Sequence, residues 1–129
     1  MTTRRVVART DSNFLSPMAT SSRRSLYRIV YPLTERPVLA VGRFIYEVID
    51  CSERGLRYEV KGRRAPSLGT PLGGILRLRR GGAGIQVTGE VIRIRGTTVA
   101  LALDSPGIPF ANILAEQRYL RSRGFTLRD

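Results

Sequence analysis

Five short runs with a period of two, or close to it, follow one another between residues 44 and 103, and brief breaks of Gly or polar residues separate them. A chain written this way buries its apolar side chains by pairing neighbouring runs into an antiparallel sheet. Phe44-Ile45-Tyr46-Glu47-Val48-Ile49 and Leu56-Arg57-Tyr58-Glu59-Val60 read as two strands joined by the polar turn Asp50-Cys51-Ser52-Glu53-Arg54-Gly55. A loop with Gly, Pro and Ser covers residues 61–70. Ile75-Leu76-Arg77-Leu78-Arg79 then alternates strictly, with its arginines on one face. After the turn Gly81-Gly82-Ala83-Gly84, Ile85 and Val87 share one parity while Ile92 and Ile94 share the other. A β-bulge or barrel corner near Gly89-Glu90 accounts for the switch. Val99, Leu101 and Leu103 alternate again, and Gly96 makes them a hairpin with the run before.

Both flanks of this region read differently. Residues 26–41 are extended but punctuated by Tyr31-Pro32 and Arg36-Pro37, which predicts one strand broken by a turn. Beyond Ser105-Pro106-Gly107-Ile108-Pro109 the period changes: Phe110, Ile113, Leu114, Gln117 and Leu120 fall on one helical face, and Gly124 is a suitable stop. Antiparallel strands at short spacing followed by a single helix predict an all-β fold, a small closed or nearly closed barrel capped at its end. Residues 1–22, rich in Ser, Thr and Arg and without period, read as a flexible basic arm, and one domain over residues 23–129 fits the length.

The charge points to the partner. Lys and Arg number 22 against 10 Asp and Glu, a formal +12, and every basic residue except Lys61 is arginine. The arginine fork grips phosphate and the O6/N7 edge of guanine with paired donors, so an anionic ligand is expected. The chain has no histidine, which removes imidazole metal ligands and the commonest general base, and no enzyme activity, metal or cofactor is expected. Cys51 is the single cysteine and reads as a small semi-buried hydrophobe. With no disulfide to form, no apolar run of transmembrane length and no signal-peptide core, the sequence suggests a cytoplasmic protein that does not insert into membranes.

Two short patterns carry ligand chemistry. Arg24-Ser25-Leu26-Tyr27-Arg28 precedes the first strand, and Asp50-Cys51-Ser52-Glu53-Arg54-Gly55 joins two later ones. In so arginine-rich a chain RxxxR arises about three times by chance, and Arg5 with Arg9 forms another; D/N-x-S-x-x-G is expected only about 0.04 times, so it is the informative half. In order, separation and strand context the pair resembles the signature of PilZ domains, over roughly residues 23–123. That resemblance implies a six-stranded antiparallel β-barrel with a C-terminal helix. It further implies a receptor for cyclic di-GMP, a bacterial second messenger, that signals to an effector protein.

The ligand residues it implies are Arg23, Arg24, Arg28, Asp50, Ser52 and Gly55. Arg24 and Arg28 would clamp phosphate and stack on guanine, with Arg23 adding charge. Asp50 would accept from guanine N–H groups, Ser52 would add a hydroxyl, and Gly55 would supply a positive φ and a close approach of backbone to ligand. Arg77 with Arg79, and Arg93 with Arg95, read as solvated barrel faces. A basic barrel that tracks a nucleic-acid backbone is the alternative. With 7% aromatic residues and no Trp, the chain lacks the stacking platforms that single-strand binders use, so nucleic acid is the less expected partner.

Overall fold

The computed structural model describes residues 27–80 and 83–125; Arg23, Arg24 and the arm expected at residues 1–22 lie outside them. The strands are β1 (Ile29–Val30), β2 (Val38–Val41), β3 (Phe44–Ser52), β4 (Gly55–Glu59), β5 (Pro71–Arg77), β6 (Ile85–Arg95) and β7 (Thr98–Leu103), and the helix α1 covers Phe110–Ser122. Six strands close an antiparallel ring in the order β3-β2-β5-β6-β7-β4, with β4 returning to β3, and β1 is an extra strand laid beside β3. This is the barrel and terminal helix that the resemblance implies. Among the described residues no helix is long and apolar enough to cross a membrane.

Two stretches depart from the sequence reading. Residues 26–41 do not hold one strand broken by a turn: β1 and β2 pair with opposite ends of β3, Ile29 with Cys51 and Val38 with Glu47. A 3-10 turn, Leu33–Glu35, carries the chain between them, and Pro32 and Pro37, which have no N–H to give a ladder, flank it. Residues 71–74, which the sequence reading left between the loop and the alternating run from Ile75, begin β5. Pro71 sits at the first strand position, and a Cβ on Gly74 would press against the Ala40 carbonyl at 2.5 Å, so glycine lets β2 and β5 approach.

Inside the ring Leu39, Val48, Leu56, Tyr58, Leu76, Val91, Val99 and Leu101 form the core, joined by Ile108, Ile113 and Leu120 from the cap. The buried face of α1 is centred on Ile113, Glu116 and Leu120. Glu116 is fully buried yet satisfied, because it accepts from the backbone N–H groups of Arg79 (3.0 Å) and Arg80 (2.6 Å) and from the Tyr31 hydroxyl (2.5 Å). Burial and the nearby Cys51 and Glu116 push the Tyr31 phenol well above its usual range, so the hydroxyl stays a donor. A second carboxylate, Glu35, accepts from Tyr119 of α1 and from Arg123 at its C-cap. Through these two acids the helix is bound to the barrel.

Two bulges decide which way the charged side chains point. On β3, Val48 pairs with Tyr58 and both are buried; the extra residue Ile49 follows, and Asp50 then pairs with Arg57. Strict alternation would send Asp50 into the core behind Val48, but the bulge reverses the parity and turns Asp50 and Ser52 outward and Cys51 inward. On β6, Val91 pairs with Leu101, the extra residue is Ile92, and Arg93 pairs with Ala100. The parity switch expected near Gly89-Glu90 thus lies two residues beyond Glu90.

Candidate functional site

With those parities fixed, the ladders align outward residues in rows across β3, β4, β7 and β6. One row runs Ser52, Gly55, Ala102, and the next runs Asp50, Arg57, Ala100, Arg93. Arg28 precedes Val30, the partner of Asp50, by two residues and so shares their face. Together they form an open cleft of about 580 Å³, within the range of small-molecule sites. Its floor is made of small residues, Gly55, Thr98, Ala100 and Ala102, and arginines rim it: Arg28, Arg54, Arg57, Arg93 and Arg95.

Asp50 lies under the rim, completely buried. Its Oδ1 accepts from Nη1 of Arg28 at 3.0 Å, and its Oδ2 accepts from Nε (2.7 Å) and Nη2 (2.5 Å) of Arg57. The sequence expectation made this carboxylate a free acceptor for guanine; in the structure both oxygens are occupied by guanidinium groups. Those bonds raise the Arg57 pKa further above its ordinary value, so the side chain is a permanent cation. Arg28 and Arg57 keep 40% and 45% of their side chains exposed, leaving donors free to face the cleft. The Ser52 hydroxyl donates to the Gly55 carbonyl at 3.5 Å, a weak bond that a better acceptor would replace.

Gly55 requires a correction. Its backbone is not in the left-handed region; it is an ordinary β4 residue. The reason for glycine is space, since a Cβ there would stand 3.3 Å from the Leu101 carbonyl and 3.8 Å from Ser52 Oγ. The left-handed glycine that serves the turn is Gly107 (φ 71°), where a Cβ would strike the Glu53 carbonyl. Behind the turn, Ile108 N–H donates to Glu53 O (2.8 Å) and Leu103 N–H to Arg54 O (2.9 Å), which anchors the Asp50–Gly55 hairpin to the barrel.

Of the residues expected from the sequence, Arg28, Ser52 and Gly55 line the cleft and Asp50 supports it, while Arg23 and Arg24 are outside the described residues. Sequence reasoning missed Arg54, Arg57, Arg93 and Arg95 as cleft residues. Arg57 was within reach, being two strand positions beyond Gly55 and hence on its face. Arg93 and Arg95, read as a solvated face, depend on the exact place of the β6 bulge. Cys51 belongs to the core, where burial pushes its thiol up to about 12. Among the described residues no group of His, Cys, Asp and Glu is placed to hold a metal.

Fold and cleft define a small antiparallel barrel in which an arginine before the first strand meets a polar hairpin. The family model for the PilZ domain matches residues 22–121, and the chain belongs to the PilZ domain family, a family of cyclic di-GMP receptors. The crystal structure of an uncharacterized Legionella protein, Lpg0364, is similar in fold, with a TM-score of 0.54 at 15% identity, covering 77% of this chain and 99% of that one. No curated protein matches the sequence.

Proposed function

We propose that this protein is a cytoplasmic, non-enzymatic receptor that binds cyclic di-GMP in the arginine-rimmed cleft and passes the signal to a partner protein. The observation that carries the reading is the meeting of Arg28, Ser52 and Gly55, from two motifs more than 20 residues apart, at one cleft over a buried Asp50.

Asp50 fixes the plane of the Arg28 guanidinium, and the N–H groups it leaves free bind a phosphate oxygen or guanine O6/N7. Arg23 and Arg24, five and four residues before Arg28 in the sequence, complete the cationic clamp and stack on the bases. Ser52 exchanges its weak bond to Gly55 for the ligand. Asp50 reads guanine N–H groups only by releasing Arg28 to the phosphate, so clamping and base reading are coupled at one carboxylate. The small floor admits the purine planes, and the single buried cysteine suits a reducing compartment.

Calorimetry with cyclic di-GMP, GMP and a generic oligonucleotide at two salt concentrations tests this. Cyclic di-GMP is expected to bind at micromolar Kd or tighter, about −8 kcal/mol, and GMP far more weakly. Equal affinity for GMP sinks the proposal. Tighter, steeply salt-dependent binding of the oligonucleotide would make the barrel a nucleic-acid binder instead.

A further inference from the structure

The motif residues account for one wall of the cleft and leave the opposite wall, β6, without a role. Arg57 and Arg93 stand opposite the same residue, Ala100, from the strands on either side of it. Strands lie about 4.8 Å apart, so their Cα atoms are about 10 Å apart and both side chains reach an anion resting above the Ala100 methyl. Arg95 is next along β6, opposite Thr98. Arg57 is committed to Asp50, whereas among the described residues neither Arg93 nor Arg95 has a carboxylate partner. Their direction comes from the bulge, which interrupts the β6–β7 ladder and leaves Ile92 57% exposed. Both features are unfavourable for a barrel alone, and bulges recur where a side chain has to be re-aimed. Here the re-aimed side chains are two cations that line a cleft and have no carboxylate partner among the described residues.

We infer that Arg93 and Arg95 form a second anion site, which takes the ligand phosphate that the motif arginines do not hold. The inference rests on reading the cleft as a cyclic di-GMP site. A ring with two phosphodiesters on opposite sides rests one on the Arg28 wall and the other on the β6 pair, which line the same cleft. The arrangement makes Arg93 and Arg95 specificity residues: they reward a ligand with two separated phosphates and give a mononucleotide, already satisfied at Arg28, nothing extra.

Calorimetry on the full chain with Arg93→Gln and Arg95→Gln combined tests it. The double variant is expected to lose tenfold or more in affinity for cyclic di-GMP and less than twofold for GMP, with an unchanged unfolding midpoint, whereas Arg28→Ala loses for both ligands. Equal loss for both ligands in the β6 variant, or no loss, overturns the inference and leaves the cleft reading standing. If the wild type fails to bind cyclic di-GMP, that reading falls, and inorganic pyrophosphate still decides the anion site. Pyrophosphate is expected to shift the Ala100 and Ala102 amide resonances of the wild type and not those of the double variant. No shift in the wild type, or the same shift in both, overturns it.

Discussion

Asp50 and Arg57 stand directly opposite one another on β3 and β4, and one oxygen of the buried carboxylate accepts both Nε and Nη2 of the guanidinium while its other oxygen holds Arg28. Asp50→Asn turns one acceptor into a donor facing cations. Removing one partner of a wholly buried ion pair costs several kcal/mol, but both arginines here are partly exposed and return to water, so the expected stability loss is about 1 kcal/mol. Affinity for cyclic di-GMP is expected to fall further, by about 2 kcal/mol, because two charged donors lose their orientation. Urea unfolding and calorimetry on the same variant separate the two. A variant that unfolds, or that binds as before, would make the pair purely architectural.

Ala100 lies between Arg57 and Arg93 on the cleft floor, while its neighbours Val99 and Leu101 point into the core. Ala100→Leu therefore adds volume to the open cleft and none to the barrel. Stability is expected within about 0.5 kcal/mol of the wild type, as for most surface changes, and ligand affinity is expected to drop at least tenfold. Unchanged affinity would place the ligand off this face.

What the sequence could disclose follows from these positions. Strand parity in β7 and the helical spacing from Phe110 to Leu120 are local, and the structure keeps both. The D/N-x-S-x-x-G turn is equally local, so Ser52 and Gly55 were legible. Glu116 was not, because a glutamate on the buried face of α1 makes sense only once the Arg79 and Arg80 amides and Tyr31 arrive from elsewhere in the chain. Nor was the pairing of Asp50 with Arg57, which requires a bulge at Ile49 that no hydrophobic pattern marks. The β6 bulge left a trace in the parity of Ile92 and Ile94, but its place by one or two residues decides whether Arg93 enters the cleft, and periodicity alone does not resolve that. Residues 71–74 show no strand pattern because Gly73 and Gly74 lower strand propensity; the approach of β2 to Gly74, a tertiary fact, outweighs it.

Glu35 is held below its ordinary carboxyl value of 4.5, first by the hydrogen bond from Tyr119, then by the charges of Arg123 and Arg79. A carboxyl with a lowered folded pKa contributes stability that is fully present above its unfolded value and is lost as pH falls through the folded one. The wild type is thus expected to lose stability as pH falls below about 4.5, and Glu35→Gln to lack that part of the loss, so the gap between the two narrows as the solution is acidified through the Glu35 titration. Denaturant midpoints across that range measure it. A gap independent of pH would mean that Glu35 acts through packing rather than charge.

Arg28 faces the cleft while its neighbour Tyr27 packs on α1, its ring edge-on to Phe110 at 6.3 Å between centroids and its hydroxyl against the Gln117 amide. A ligand that draws Arg28 over the floor therefore pulls on the helix through one peptide unit. Fixing a residue costs about 1 to 2 kcal/mol, so the phosphate held there can order only a few residues beside Arg28 unless apolar contact contributes, and Tyr27 on Phe110 is such a contact. Cyclic di-GMP is accordingly expected to shift the resonances of Phe110 and Gln117 and to raise hydrogen-exchange protection over residues 23–28 and 50–55. Tyr27→Ala is expected to abolish the helix shifts while affinity falls less than about threefold, because the cleft donors remain. If the helix shifts persist without Tyr27, the coupling runs through the barrel wall. If residues 23–28 are equally protected without ligand, the receptor is rigid, and its partner must read the bound nucleotide itself rather than a rearranged α1.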